Sequence, residues 1–418
     1  MKAIKMQNLA LAVMVLAATS VFGIGWKGAD LTKGRAPETL EQLRKVAASR
    51  QFYWAWTSSW VPNCHWWDLP KNVVWPQFDI ELAKRTGMAP RMMYYDLNIV
   101  TGTRNVPEFY AKTRQATGDS IRIHYRACRG IPVFSWHMDH PCLTNNFPSA
   151  AYRFKCDTHK NILRDIIDNV KYPCAADNHR KSNFRKPYES PRAWYFAQLK
   201  EIADFFKGLV DDEGRRIPVI LRYEHECDGK WFFWGESWCT PADYVAFSRM
   251  TADYLRRECG RDNILFAYNP DRTWKELGKE GDNAHNFLTW YPGDEYTDLI
   301  GYDDYSIGKG KTKEETERNF ANSLSRLRML TKFAKERGKV LAISETGCKD
   351  ANLDFWERLR KLAIADGVEC AYVNTWGGAW SNPDSEEGWK ELKKFATNPA
   401  VLMATDYDLQ RAANVNAK

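Results

Sequence analysis

Two stretches of this chain place ionisable residues where apolar runs end. Pro218-Val219-Ile220-Leu221 breaks into Arg222-Tyr223-Glu224-His225-Glu226, and the aromatics Trp231-Phe232-Phe233-Trp234 follow between Gly229 and Gly235. Val340-Leu341-Ala342-Ile343 breaks in the same way at Ser344-Glu345. A short apolar run rich in β-branched residues reads as a buried strand. A buried parallel strand that ends in charge is how an α/β barrel presents reactive groups at its C-terminal rim. Charges that were merely solvated would not carry Trp and Phe just beyond them. Two carboxyls meeting at such a rim can share the breaking of a glycosidic bond. One, kept protonated, donates to the leaving oxygen while the other attacks the anomeric carbon. Retention requires them about 5–5.5 Å apart and inversion requires more. The donor needs a pKa raised by burial among aromatics, which favours Glu226 over Glu345 for that role.

Other chemistries are poorly served. His137, His140 and Cys142 lie close together, but no further His or Cys spacing completes a metal site. A rim histidine donating to sugar hydroxyls is the better use of His137. There is no GxSxG elbow for a serine hydrolase and no GxxxxGK[ST] phosphate turn. No metal or cofactor is expected.

The elements that must position these groups alternate strand and helix. Apolar runs at 51–56, 92–96, 131–137, 218–222, 263–268, 298–302, 340–347 and 370–376 read as eight strands. Helical patterns lie at 37–49, 80–86, 161–170, 193–209, 241–259, 313–337, 352–365 and 386–395. Phe320, Leu324, Leu327 and Leu330 recur on one face of the 313–337 helix, as packing against a barrel requires. This order predicts a (β/α)8 barrel with a long insertion, 138–190, after strand three and a polar tail after the last helix. On such a barrel strands four and seven face one another, which would bring Glu226 and Glu345 together. A doubly wound sheet is the alternative, weakened by the missing phosphate turn.

Composition points the same way. The chain has 18 Trp, 19 Tyr and 20 Phe, an excess that suits stacking on sugar rings or bases. Nucleic acid is disfavoured because the net charge of +7 comes from Lys and Arg scattered among acids, with no basic run. Residues 1–23 read as a secretory leader: Lys2 and Lys5, then an apolar stretch too short to span a bilayer, then Val21-Phe22-Gly23 as a cleavage site. No cysteine lies near that site, so a lipid anchor is not indicated. The expectation is a secreted or periplasmic protein, with no membrane insertion, whose residues 24–418 form one monomeric domain. Ten cysteines permit disulfides, with Cys156 and Cys174 as one conceivable pair.

Arg222-x-x-His225-Glu226-x-x-Gly229-x-Trp231-Phe232-x-Trp234-Gly235 resembles the acid/base strand of glycoside hydrolase family 26, whose members are chiefly secreted endo-β-1,4-mannanases. Ser135-Trp136-His137, Asp303-Asp304-Tyr305, Ile343-Ser344-Glu345 and Asn374-Thr375-Trp376 resemble that family's motifs on strands three, six, seven and eight. The resemblance covers about residues 50–400. It implies a retaining hydrolase of mannan, glucomannan or galactomannan, with Glu226 as acid/base and Glu345 as nucleophile. By the same resemblance Arg222 holds the carboxylates, and Asp303 and Tyr305 belong to the strand-six motif, where Tyr305 orients Glu345. His137, His225, Trp231 and Trp376 would contact the sugar. A β-glucanase or β-1,3-xylanase of the family, or a catalytically silent sugar-binding barrel, is the alternative. Two departures stand out. Cys227-Asp228 puts a charge beside the acid, expected to raise the pKa of Glu226. Gly377-Gly378 replaces a polar side chain beyond Trp376.

Overall fold

The computed structural model describes residues 35–57, 82, 84–101, 107–141, 161–174, 188–260, 262–278, 286–348, 354–377 and 381–405. These belong to one compact unit, Lys33–Lys418. The proposed leader and most of the 138–190 insertion lie outside the described residues, as do Cys64, Cys142 and Cys156.

Helix α1 (Ala36–Ala48) leads into β1 (Phe52–Thr57), β2 (Met88–Pro90) and β3 (Met92–Asp96). After α2 (Asn98–Thr101) and α3 (Pro107–Cys128) come β4 (Pro132–Ser135), α4 (Ile162–Asp168), α5 (Pro191–Gly208) and β5 (Val219–Arg222). Then follow α6 (Pro241–Cys259), β6 (Ile264–Tyr268), β7 (Leu299–Asp303), α7 (Lys313–Arg337), β8 (Val340–Thr346), α8 (Phe355–Ala363), β9 (Cys370–Trp376), α9 (Glu386–Ala396) and β10 (Val401–Thr405). Strands β1, β3, β4, β5, β6, β7, β8 and β9 pair in that order, all parallel, and β9 closes onto β1 from Tyr53↔Tyr372 to Thr57↔Trp376. The barrel read from the sequence is present. The fourth and seventh expected strands are β5 and β8.

The strands are buried on both faces, and their alternation sorts residues into two layers. Tyr53, Ala55, Met92, Tyr94, Ile220, Leu299, Val340 and Ala342 pack inside the barrel. Phe52, Trp54, Met93, Leu221, Ile300 and Leu341 face the helices. Leu327 and Leu330 of α7 are fully buried in that outer layer, with Phe320 and Leu324 against it. On α1, Ala36, Leu43 and Ala47 join the interior cluster, so this helix packs against one end of the barrel. Helix starts are fixed by side chains: Ser190 and Thr312 cap α5 and α7, and Thr240 with Asp243 forms a capping box on α6.

The structure adds β2, α2, α3 and β10 to the elements read from the sequence. Helix α3, absent from that reading, supplies the crossover between β3 and β4. The expected polar tail instead contains β10, which runs parallel to the start of β1 and antiparallel to β2. Val401-Leu402-Met403-Ala404 is apolar enough to occupy an edge that β1 leaves unpaired, and Phe52 N–H donates to Ala400 O at 2.9 Å.

Candidate active site

Alternation places the centre of the site. Ile220 faces the interior, so Arg222, two residues on, does too; the same count from Leu299 and Gly301 brings Asp303 inward, and from Met92 and Tyr94, Asp96. Arg222 is fully buried. Its guanidinium donates to Tyr94 Oη, to Asp303 Oδ2 and, at 2.7 Å, to Glu345 Oε2. An unpaired buried guanidinium would carry a large desolvation cost, and these acceptors offset it.

Glu345 reaches this cation because β8 breaks step. Strict alternation from Ala342 would turn Glu345 toward the helices. Instead Tyr302 pairs with Ile343 and Asp303 with Glu345, and the partner on the other side also shifts between Ile343 and Thr346, so β8 carries one extra residue. Ser344 fills that bulge, its hydroxyl at 2.5 Å from Asn269 Nδ2. Gly301 makes the room: a Cβ there would lie 2.0 Å from Ser344 Oγ. Glu345 is thereby gripped on both oxygens, since Tyr305 Oη donates to Oε1. Burial and the adjacent Glu345 push the Tyr305 phenol well above its usual pKa, which keeps it a donor. Asp304 fixes this turn: its carboxylate accepts from Ser306 N (2.8 Å) and Ser323 Oγ, and its own N–H donates to Glu345 O at 2.9 Å.

Glu226 arrives differently. Beyond Arg222 the chain leaves the ladder, and Glu224 and Glu226 both take left-handed backbone conformations, φ 53° and 54°. Glu226 N–H donates to Asn269 O at 2.8 Å, and its Oε2 accepts from Trp231 Nε1 at 2.6 Å. Oxygens of Glu226, Asp303 and Glu345 lie within 4.8 Å of one another. Arg222, bonded to two of the three, supplies the positive charge such a cluster requires. Glu226 keeps part of its surface open to the rim, yet removal from water pushes its pKa up to about 8, with Glu345 and then Asp271 adding to the rise; Arg222 and Trp231 oppose it.

The aromatic and imidazole side chains surround this cluster. His225 is buried edge-on to His137 (4.8 Å) and Phe232 (4.9 Å). Burial, then Arg222, then His137 hold its pKa well below the usual histidine value, so it is neutral. His137 Nδ1 pairs with Asp96 Oδ2 at 2.5 Å. Trp376, half-buried at the end of β9, stands 5.7 Å from His137 and 6.4 Å from Tyr94. Every residue nominated from the sequence therefore lies in or around one cluster: Glu226, Glu345, His137, Arg222, His225, Trp231, Asp303, Tyr305 and Trp376. His140 packs edge-on against Phe233, 5.0 Å away. The sequence reading passed over Tyr94, Asp96 and Asp271. Asp96 ends β3 and Asp271 stands just past β6, the same signal that picked out Glu226, whereas Tyr94 lies inside β3 and gives no such signal.

The charge expected from Asp228 is not where the sequence placed it. Asp228 is not among the leading causes of the raised Glu226 pKa; its carboxylate accepts from Asp271 N at 2.7 Å and from Thr273 Oγ1.

A closed parallel barrel with two acidic side chains converging at its C-terminal rim, one proton-holding and one bonded to arginine and tyrosine, has the architecture of a glycoside hydrolase. The profile of Glycosyl hydrolase family 26 matches residues 95–402, and the chain belongs to that family. It is 30% identical over 334 residues to the mannan endo-1,4-β-mannosidase of Thermothelomyces thermophilus, covering 79% of this chain and 56% of that protein. It is 30% identical over 228 residues to the enzyme of the same name from Bifidobacterium adolescentis, covering 50% of this chain and 22% of that protein. The chain thus spans between about a fifth and just over half the length of these curated relatives. Among solved structures, the endo-β-1,4-mannanase of Cellulomonas fimi superposes with a TM-score of 0.66 at 22% identity, covering 92% of this chain and 79% of that one. A β-mannanase of Bacteroides ovatus gives a TM-score of 0.63 at 21% identity, covering 90% and 96%. At these identities the structural likeness speaks to the fold.

Proposed function

We propose that this protein is a secreted endo-acting hydrolase of β-1,4-mannosidic bonds in mannan, glucomannan or galactomannan, working with retention of configuration. The observation that carries the reading is the pairing of Glu226, protonated up to about pH 8, with Glu345, both of whose oxygens receive hydrogen bonds, no more than 4.8 Å away. That separation suits direct attack rather than an interposed water, which would need a wider gap of roughly 6.5 Å or more.

In the first step Glu345 Oε attacks the anomeric carbon and the glycosidic C–O bond breaks. The bonding pair passes to the leaving oxygen, which takes the Glu226 proton. Glu345 becomes an ester and loses its charge, which removes one of the causes of the raised Glu226 pKa and leaves Glu226 a competent base. In the second step Glu226 takes a proton from water, whose oxygen attacks the same carbon, and the Glu345 carboxylate departs. Trp376 and Trp231 offer ring faces to the sugars on either side. The mannan assignment follows the names of the relatives, and secretion follows the residues 1–23 leader. Among the described residues no helix is long and apolar enough to cross a membrane.

The test is reducing-sugar release from linear mannan, galactomannan, lichenan and β-1,3-xylan, with NMR of the first-formed anomer and Glu345→Ala alongside. Activity confined to mannans, with the β-anomer appearing first and loss in the variant, is expected. Activity confined to lichenan or xylan overturns the substrate; the α-anomer appearing first overturns retention. A folded protein that binds mannan without cleaving it would be a sugar-binding barrel.

A further inference from the structure

The turn after β6 reaches into the site without a role in the steps above. Asn269 O accepts from Glu226 N at 2.8 Å, and Pro270 O accepts from Asp303 N at 3.0 Å. Asp271 forms a parallel bridge with Asp303, so this short segment is stitched between the strand ends that carry two of the three converging carboxyls. Its conformation is held from the side by Asp228, buried and 2% exposed, which accepts from Asp271 N at 2.7 Å and from Thr273 Oγ1. Asp228 belongs to the Glu226 turn itself. A residue two positions beyond the acid thus clamps a second acidic residue, half-buried, beside it.

We propose that Asp271 is a positioning residue that acts through Glu226, a fixed negative charge that keeps the acid protonated, and that Asp228 is the clamp that holds Asp271 in place. The inference rests on the acid/base role of Glu226 given above. The charged groups around the pair are all placed. Glu226 faces Glu345 and Asp303, Asp271 and Arg222, with Trp231 bonded to it. Asp271 faces Asp304 and Asp303 from the end of β7, Arg326 from α7, its neighbour Arg272, and Asp228. Its own carboxyl is pushed up to about 6, chiefly by burial, so between about pH 6 and pH 8 it is ionised while Glu226 holds its proton. The two neighbouring charges differ in one respect that matters. Glu345 loses its charge when it becomes an ester, whereas Asp271 does not. Asp271 therefore sustains the basicity of Glu226 during the second step, when water must be deprotonated.

The experiment measures the Glu226 pKa directly, by titrating protein labelled with [13Cδ]Glu and assigning the resonance by its loss in Glu226→Gln. Asp271→Asn is expected to lower that pKa by roughly half a unit to one unit. Asp271→Glu, which keeps the charge, is expected to leave it near the parent value. Asp228→Ala should move it as Asp271→Asn does, and Asp228→Asn, which keeps an acceptor for Asp271 N–H, should move it less. On galactomannan the alkaline limb of kcat/KM should shift to lower pH by the same interval. A Glu226 titration unchanged in Asp271→Asn, or displaced equally by Asn and Glu, overturns the proposal. Because the titration needs no substrate, it stands apart from a failure of the mannanase reading, which would show as a parent protein inactive on mannan.

Discussion

Glu226 and Glu345 are the same side chain in the same cleft, and their surroundings differ at every level. Glu345 is delivered by a strand, from a bulged but continuous ladder, and its two oxygens accept from a guanidinium and a phenol. Glu226 is delivered by an irregular turn in a left-handed conformation, and among the described residues the side-chain donor to its carboxyl is the neutral indole of Trp231. The cation is bonded to one acid and not to the other, although Arg222 interacts electrostatically with both. Burial is the first cause of the proton that Glu226 keeps, the charges of Glu345 and Asp271 add to it, and the indole hydrogen bond does not offset them.

That contrast can be broken from either side. Glu345→Ala removes the attacking group and is expected to lower kcat roughly ten-thousand-fold or more, read as reducing-sugar release from galactomannan. Glu226→Ala is expected to cost between about a hundredfold and ten-thousandfold on polysaccharide and much less on an aryl mannoside whose leaving group needs no proton. If both substrates lose equally, Glu226 is not the acid. Arg222→Met would leave buried acids without their cation, and we expect a loss of about 3–5 kcal/mol in urea unfolding. Tyr305→Phe releases Glu345 Oε1 and should lower kcat by about tenfold to a hundredfold with KM little altered. The smallest effect sharpens the comparison. Activity should fall as pH rises through about 8, where Glu226 loses its proton. The indole hydrogen bond favours the ionised form, so Trp231→Phe should move that limb to higher pH, by a few tenths of a unit.

The barrel was legible because its strands are apolar runs cut by charge, and that break also located most of the site. Helix α3 escaped because Gly118 and a scatter of Thr, Ser and charged residues blur its apolar stripe, while its place in the barrel is set by the need for a crossover. Strand β10 escaped because a short edge strand is chosen by the partner that needs it, here β1. The role of Asp228 was misjudged because sequence proximity gives no direction: its carboxylate turns away from Glu226 toward the next loop. The paired cysteines suggested for this chain remain an expectation for Cys156, which is outside the described residues. Among the described residues Cys128, Cys227, Cys239, Cys259, Cys348 and Cys370 are free thiols.

The extra residue in β8 has a consequence for anyone redesigning such barrels. The attacking acid owes its direction to a count, not to a side chain: the same residues laid in a regular ladder, with Ser344 paired in turn instead of bulged, would point the Glu345 carboxylate into the helix layer. A transplanted catalytic glutamate in a regular scaffold strand would have the right neighbours in sequence and the wrong face in space. The portable unit is therefore the pair of strand ends together, Gly301 with its vacant space and Ser344 filling it, and not the acid alone.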